Sequence, residues 1–206
     1  MWNAGAVAEP RPGAGRRHRG RPGWFLAGYA GIAGFLALEA LTRERGRAAS
    51  LDASADDQGT TRMIVIAYGV AAELPLLLRR VPSPRLPPAA APAGLALQAT
   101  GLALRAWSMR TLGGSYTRTL RADEEQAVIT AGPYRLIRHP GYTGSLLTWT
   151  GFALTSRSLP VLALTAGLLG RAYQRRIEAE EQLLRRDLPG YPAYQQRTKR
   201  LIPFVW

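Results

Sequence analysis

The chain has 206 residues, a formal net charge of +13 and no cysteine, so disulfides, thiolate metal sites and cysteine nucleophiles are excluded. A pI near 11.2 suits an anionic partner, either phospholipid headgroups or nucleic acid. The mean hydropathy of -0.10, taken alone, favours a soluble protein. The charges are concentrated in tails and loops, however, and the stretches between them are nearly charge-free.

The N-terminal part is predicted to be a disordered basic tail, residues 1–23, followed by apolar helices over residues 24–107. The tail is rich in proline, glycine and arginine, which cannot build a core. Apolar runs follow at 24–41, 63–78 and about 89–107, and the first is at the lower length limit for a membrane span. A signal peptide is the alternative interpretation, because a basic region before an apolar one is also typical of export signals.

The C-terminal part, residues 108–206, is predicted to contain a helical hairpin. It begins with the longest polar connection, residues 108–140. Two short apolar runs follow, at 145–155 and 159–169, and helices that extend beyond both of them would form a tight hairpin. The second helix is predicted to continue through a polar stretch and to end at Leu188-Pro189-Gly190.

These runs predict an all-α, multi-pass integral membrane protein of the cell membrane, with about five transmembrane helices. If the N-terminus lies outside, the inner segments hold 17 lysines and arginines and the outer segments hold 9. The excess favours a cytoplasmic C-terminal half. The basic N-terminal tail disagrees with this orientation. The side of the N-terminus, and whether the first run crosses fully, therefore stay open.

The segment from Gly132 to Tyr142 contains the only histidine outside the N-terminal tail, His139. The following proline restricts the backbone of His139 to extended geometry, so its ring can point out of the chain path. One interpretation is a histidine that only binds backbone at a helix entrance. The other is a preorganised pocket for a polar or anionic ligand, because Tyr134, Arg138 and Tyr142 can also donate hydrogen bonds.

Arg176 and Glu180 lie four residues apart and therefore share one helical face, whereas Glu181 is rotated by about 100°. A surface ion pair between Arg176 and Glu180 is one interpretation. In the other, Arg176 grips an anionic group of a substrate with its planar fork. The position of these charges directly after the apolar hairpin favours the second interpretation.

Other chemistries are poorly supported by the sequence. Gly113-Gly114-Ser115 has neither the spacing nor the context of a phosphate loop. The chain lacks a Gly-x-Ser-x-Gly nucleophile elbow. Two histidines, one of them in the tail, do not build a zinc site, so no metal is expected.

The second half of the chain closely resembles the isoprenylcysteine carboxyl methyltransferase family of membrane enzymes and related bacterial phospholipid methyltransferase-like proteins. The resemblance covers roughly residues 110–206, with the order and spacing of the motifs in agreement. The N-terminal runs match only as generic membrane helices. The motifs are Gly132-Pro133-Tyr134, Arg138-His139-Pro140-x-Tyr142, Glu180-Glu181, Gly190-Tyr191 and Leu201-Ile202-Pro203.

The resemblance implies a cytoplasmic site for S-adenosylmethionine (S-adenosyl-L-methionine), the methyl donor, in the C-terminal half and without a Rossmann sheet. It also implies that Arg176 meets the substrate. Two positions depart from the eukaryotic members, which have histidine in place of Gln126 and glutamine in place of Thr119. The implied cofactor-binding residues are Gln126, Ala127, Val128, Ile129, Tyr134, His139, Pro140, Gly141, Tyr142 and Glu180.

The expected function is methyl transfer from S-adenosylmethionine to a lipophilic acceptor, with membrane lipid around the protein and no nucleic-acid partner. The acceptor is expected to be a small lipophilic molecule or a prenylated substrate, most simply a carboxylate of isoprenylcysteine type that Arg176 orients. A lipid amine is the competing acceptor. A non-enzymatic basic protein that docks on anionic lipid or nucleic acid is the alternative from another class.

Overall fold

The computed structural model describes residues 21–43, 57–113 and 128–203. These residues are mostly helical, and two isolated β-bridges, Arg85–Ser158 and Ile137–Lys199, are the pairings found outside the helices in this part of the chain. Two short 3-10 turns, Leu78–Arg80 and Gly132–Arg135, accompany the helices. The α-helices are α1 Arg21–Arg43, α2 Thr60–Leu77, α3 Ala90–Leu112, α4 Pro140–Thr155, α5 Leu159–Asp187 and α6 Tyr191–Arg197.

Helix ends follow from local residues. Helix α4 begins at Pro140, whose missing N–H is harmless in a first turn. Helix α5 joins the second apolar run to the polar stretch and ends at Asp187. Gly190, at φ +84°, then adopts a left-handed conformation that suits glycine, so the predicted stop is confirmed. Helix α3 continues five residues past the predicted run and ends at Leu112, where Gly113 follows at φ +53°.

Four glycines bring α3 and α4 into unusually close contact. A Cβ on Gly101 would lie 2.5 Å from the carbonyl oxygen of Gly144, and a Cβ on Gly94 would lie 2.6 Å from that of Gly151. Only glycine permits this approach, because any side chain would collide with the facing backbone. Small residues are the usual means by which helices pack tightly in membranes. Helix α4 therefore packs against α3 as well as against its hairpin partner α5.

Aromatic side chains form the main core between α1, α2, α4 and α5. Phe35, Trp149, Phe152 and Tyr173 are fully or almost fully buried, and the partly buried Tyr68 packs against them. The rings of Tyr68 and Trp149 stack with centroids 4.7 Å apart. The Tyr68 and Tyr173 hydroxyls hydrogen-bond to each other, which joins α2 to α5. These contacts bring two helices of the N-terminal half, α1 and α2, against the hairpin.

The bundle has two distinct ends. At one end, the loop after α2 pairs with the hairpin turn, since Leu86 N–H donates to Arg157 O at 2.8 Å and Leu159 N–H donates to Pro84 O at 3.1 Å. At the other end lie the C-terminal half of α5, the start of α4 and α6. The polar residues singled out from the sequence are gathered at this second end.

Two helices in the described ranges are long and apolar enough to cross a membrane, over residues 23–42 and 60–80. Helix α1 begins at Arg21, inside the predicted tail, whose first 20 residues lie outside the described ranges. Helix α4 has 16 residues, so it is about 24 Å long and shorter than the roughly 30 Å hydrocarbon layer. The all-α class is confirmed for the described residues, whereas the count of five spans stays a prediction.

Candidate functional site

The segment before α4 is held in place by the chain's C-terminal segment. Arg138 N–H donates to Lys199 O at 2.7 Å, and His139 N–H donates to Arg200 O at 3.0 Å. The backbone of His139 is non-helical but not extended as predicted, with φ -122° and ψ 55°. Its carbonyl oxygen accepts hydrogen bonds from the N–H groups of Tyr142 and Thr143 at the start of α4. Gly132, at φ +57°, starts the preceding turn. The motif is thus fixed by backbone hydrogen bonds as well as by its prolines.

Glu181 is the polar centre of this end of the molecule, although its side chain is only 1% exposed. Its Oε1 accepts a hydrogen bond from Arg138 Nε at 2.8 Å and lies 3.2 Å from His139 Nε2. Its Oε2 accepts from Arg200 Nη2 at 3.1 Å and from Gln195 Nε2 at 3.0 Å. One buried carboxylate therefore ties α5 to the start of α4 and to the C-terminal segment.

These donors also determine the protonation of Glu181. Burial alone would raise the pKa of its carboxyl, but the hydrogen bonds and charges of His139 and Arg138 outweigh burial and lower the pKa to about 2. Glu181 is accordingly ionised at neutral pH. A buried carboxylate with several charged donors is stable in this form, and removal of one partner would leave the other charges uncompensated.

Glu180, its neighbour, faces a different set of groups. The Tyr142 hydroxyl donates to Glu180 Oε2, and His139 Nδ1 lies 3.9 Å from Glu180 Oε1. The rings of His139 and Tyr142 stack at 5.5 Å with an interplanar angle of 10°. The side chain of Glu180 is 25% exposed. It therefore keeps an open side on which a ligand could bind.

Arg176 lies on α5 and is buried, and its guanidinium contacts α2 and α4. Its Nη1 donates to the carboxylate of Asp57 and to the Thr60 and Thr61 hydroxyls at 2.9 and 3.0 Å. Its Nε donates to the Tyr142 hydroxyl at 3.1 Å. An exposed Arg176–Glu180 ion pair is therefore the wrong description of this residue, because Arg176 is 3% exposed and contacts the carboxylate of Asp57, which lies just before α2.

Asp57 caps the start of α2, where its Oδ2 accepts from Thr61 N–H at 3.1 Å. Burial would raise its pKa, but the hydrogen bonds from Thr61 and the charge of Arg176 lower it overall. Burial likewise disfavours the charged form of Arg176, and the nearby Tyr142, Glu180 and Asp57 more than offset this and raise its pKa. Both groups are therefore charged at neutral pH.

Some of the predicted cofactor residues upstream of the motif are among the described residues, and they lie in the same region as the motif. Val128 packs against the buried cluster of Leu188, Tyr191 and Tyr194. The Tyr194 hydroxyl donates to Tyr134 O at 2.5 Å. Burial raises the pKa of Tyr194 to about 12. These tyrosines are all buried in the protein.

The structure brings together most of the predicted site residues that it describes. His139, Tyr142, Glu180 and Arg176 form one connected array, and Val128 and Tyr134 lie on the adjoining α6 side. Pro140 and Gly141 form the first turn of α4, and Ile129 is half-buried beside Val128 in sequence. Gln126, Ala127 and Thr119 lie outside the described residues.

Two residues of this site, Asp57 and Glu181, were not predicted from the sequence to contribute to it. Asp57 follows a polar stretch that holds other acidic residues, and no local pattern distinguishes the one that reaches Arg176. Glu181 was set aside because it is rotated away from Arg176 and Glu180. Its rotation directs it towards the C-terminal segment, and the nearby basic residues Arg197, Lys199 and Arg200 were the available signal.

Comparisons with known proteins show similarity over the region that contains this site. Residues 90–188 match the family model described as phospholipid methyltransferase. The chain is 34% identical over 116 residues to a probable protein-S-isoprenylcysteine O-methyltransferase of Oryza sativa subsp. indica, a match that covers 54% of this chain and 60% of the relative. It is 32% identical over 116 residues to protein-S-isoprenylcysteine O-methyltransferase B of Arabidopsis thaliana, with 54% and 58% covered.

A third relative has a different name. The cobalt-zinc-cadmium resistance protein CzcN of Cupriavidus metallidurans is 31% identical over 110 residues, with 53% of this chain and 46% of the relative covered. The chain thus spans no more than about 60% of the length of these curated relatives.

The solved structure of a eukaryotic intramembrane Ras methyltransferase, the isoprenylcysteine carboxyl methyltransferase, superposes with a TM-score of 0.58. The superposition covers 87% of this chain and 68% of the other at 18% identity, so it shows a shared fold. The helical bundle therefore has the fold of an intramembrane methyltransferase. Residues 90–188 match the model of the phospholipid methyltransferase family, and the resemblance to isoprenylcysteine carboxyl methyltransferases is confirmed.

Proposed function

We propose that the protein is an integral membrane methyltransferase that uses S-adenosylmethionine to methylate a lipophilic acceptor, in the first place a carboxylate of isoprenylcysteine type. The observation that carries the proposal is the array of His139, Tyr142, Glu180 and Arg176. It connects the start of α4 to the polar half of α5, inside the region that matches the family model. The names of the relatives support this chemistry.

The donor and acceptor groups of the site fit S-adenosylmethionine, which carries ammonium, sulfonium, carboxylate and hydroxyl groups. Glu180 offers an accessible carboxylate for a cationic or hydroxyl group. The Tyr191 hydroxyl is buried and has no hydrogen-bond partner among the described residues. In this proposal the cofactor is held by Val128, Ile129, Tyr134, His139, Pro140, Gly141, Tyr142 and Glu180, together with Gln126 and Ala127.

When bound, S-adenosylmethionine supplies a methyl group that its sulfonium already activates. The protein then has to orient the acceptor and exclude water, which are the main sources of rate acceleration for such a transfer. A carboxylate nucleophile is anionic at neutral pH and needs no base. Glu180 and His139 therefore act in binding and orientation rather than in proton removal.

Arg176 is proposed to orient the acceptor carboxylate. Its guanidinium is charged, and its contact with Asp57 demonstrates that it accommodates a carboxylate in this environment. The planar fork of arginine can bind two oxygens at once. Its hydrogen bond to Tyr142 places it beside the groups assigned to the cofactor, so acceptor and donor would meet at the second end of the bundle.

The same proposal includes a multi-pass topology with the site on the cytoplasmic side. The two apolar helices support membrane insertion, and the surplus of lysine and arginine at the second end supports the orientation. The glycine contacts of α3 with α4 support their packing within the membrane. A lipid tail of the acceptor would then reach the site from the bilayer.

The test of the function is methyl transfer from radiolabelled S-adenosylmethionine by the purified protein in lipid nanodiscs. N-acetyl-S-farnesylcysteine, its amide and phosphatidylethanolamine are the three acceptors. Base-labile label on the free acid alone is the expected result. Label on phosphatidylethanolamine would instead favour the lipid amine, and transfer to none of the three would leave both acceptor assignments without support.

Arg176→Ala is expected to raise the Michaelis constant for the free acid by roughly 10- to 100-fold, because a charge-assisted hydrogen bond contributes about 1.5–3 kcal/mol. Arg175→Ala is the matched control, since Arg175 is its exposed neighbour on α5. Arg175→Ala is expected to have the same Michaelis constant for the free acid as the wild-type protein. Wild-type kinetics in Arg176→Ala would show that this residue does not bind the acceptor.

A further inference from the structure

A buried arginine and a partly buried glutamate form an ion pair outside the array described above. Arg105 is in the C-terminal half of α3 and Glu39 is near the end of α1, and their side chains are 8% and 16% exposed. Arg105 Nε donates directly to Glu39 Oε1. Both residues lie in runs that the sequence predicts to be membrane spans. A charged residue at such a position is costly and therefore calls for a functional explanation.

Arg105 also contacts the first turns of α4. Its Nη1 donates to the carbonyl oxygen of Gly141 at 2.9 Å and to the Ser145 hydroxyl at 2.7 Å. Gly141 lies between Pro140 and Tyr142 in the motif. The guanidinium carbon lies 5.2 Å from the centre of the Phe35 ring of α1. One side chain thus joins α1, α3 and the segment that carries His139 and Tyr142.

The surrounding packing explains why such an anchor matters. Gly144 and Gly101 bring the backbones of α3 and α4 together, and a Cβ on Gly144 would lie 2.8 Å from the Arg105 backbone nitrogen. Glycine surfaces fit closely but have no side chains that oppose sliding along the helix axis. The rigid fork of a guanidinium resists that sliding, because its donors have fixed directions.

Glu39 has two effects on this anchor. Its charge compensates the buried guanidinium, which would otherwise be strongly destabilising. Its bond to Nε also fixes the orientation of the fork, so that Nη1 points to Gly141. Helix α1 therefore acts on the start of α4 without contacting a ligand itself.

We propose that Arg105, oriented by Glu39, is a positioning residue that sets the register of α4 against α3 and thereby places His139 and Tyr142 in the cofactor site. This inference rests on the proposed function. It predicts that loss of the anchor weakens binding of S-adenosylmethionine even when the protein stays folded.

The decisive variant is the double substitution Glu39→Gln and Arg105→Gln, which removes both charges and leaves no unpaired buried ion. Its dissociation constant for S-adenosylmethionine, measured by isothermal titration in nanodiscs, is expected to rise roughly tenfold. Ser145→Ala removes one of the two Nη1 contacts and is expected to raise the constant by a smaller factor. The second variant keeps the test available if the double variant does not fold.

Gln98→Leu is the matched control. Gln98 is buried on α3 about two turns from Arg105, and its Nε2 donates to Gly28 O of α1 at 3.0 Å. It therefore links the same two helices without touching α4's motif. We expect it to lower the melting temperature and to leave the dissociation constant at the wild-type value.

An unchanged dissociation constant in the folded double variant would overturn the inference. A rise of equal size in Gln98→Leu would also overturn it, because the effect would then follow from general loss of stability. Failure of the wild-type protein to bind S-adenosylmethionine would count against the proposed function instead, so the two failures are distinguishable.

Discussion

Glu180 and Glu181 are adjacent in the chain and have different surroundings. Glu181 is enclosed by Arg138, His139 and Arg200, whereas Glu180 shares a hydrogen bond with Tyr142 and stays partly open. The difference follows from the 100° rotation between successive helical residues. Glu181 therefore holds the site together, and Glu180 is the carboxylate available to a ligand.

The lowered pKa of Glu181 predicts a pH dependence of stability. A group whose pKa is lower in the folded than in the unfolded state stabilises the fold above its unfolded value. That stabilisation is lost as the pH falls from about 4.5 to about 2. A difference of this size corresponds to ~3 kcal/mol. Thermal unfolding in detergent is expected to show a steep loss of stability over this acidic range.

Glu181→Gln should reduce the loss of stability between about pH 4.5 and pH 2. It should also lower the stability at pH 7, because Arg138 and Arg200 lose their counter-charge. Glu178→Gln is the control on the same helix, since Glu178 is only half-buried and its partner is Gln174. The same decrease in stability with falling pH in the wild type and in Glu181→Gln would contradict the account of this carboxylate.

At the scale of the elements, α3 and α4 form the closest helix contact, and the hairpin depends on it. The third apolar run contains small residues, among them Gly94 and Gly101. Their partners on α4 were not evident, because Gly144 and Gly151 lie within an apolar stretch that looks the same whether it faces lipid or protein.

Gly101→Ala and Gly167→Ala test that contact. A Cβ at position 101 would lie 2.5 Å from the Gly144 carbonyl oxygen, whereas a Cβ at position 167 meets nothing within 4 Å. We expect Gly101→Ala to lower the free energy of unfolding by about 1–3 kcal/mol, an amount typical of overpacking, and so to lower the melting temperature. Gly167→Ala should be neutral or stabilising, because alanine favours the helix by about 1 kcal/mol. Equal effects would argue against the close approach.

The positions of the helices along the chain could be predicted better than the contacts between helices. The apolar runs, the hairpin turn and the stop at Gly190 followed from local chemistry, so the predicted elements agree with the described helices. The pairing of Arg176 with Asp57 spans 119 positions and depends on how α2 packs on α5. No spacing rule in the sequence encodes such a distant contact.

For the whole molecule, the two ends of the bundle are predicted to lie on opposite sides of the membrane. The absence of cysteine makes single-cysteine labelling possible without further changes. Arg85→Cys lies at the hairpin-turn end and Lys199→Cys at the site end, and both positions are exposed. In intact cells, an impermeant maleimide is expected to label Arg85→Cys and to spare Lys199→Cys until the cells are lysed. The reverse pattern would contradict the proposed topology.

The predicted border between residues 107 and 108 falls inside α3, and α1, α2 and α3 each contact the hairpin region. The N-terminal helices therefore support the site through Asp57 and Arg105 as well as by packing. Division into a membrane part and a methyltransferase part stays a prediction. The contacts across it imply that the C-terminal region depends on its N-terminal neighbours.

The central claim is that His139, Tyr142 and Glu180 belong to a site for S-adenosylmethionine. Isothermal titration of the wild-type protein in nanodiscs with S-adenosylmethionine and with its demethylated product tests this claim most directly. Saturable binding of both by the wild type is predicted, with strong weakening in His139→Ala and Glu180→Ala and none in Arg175→Ala. No binding by the folded wild type, or equal affinity in all four proteins, would contradict the account.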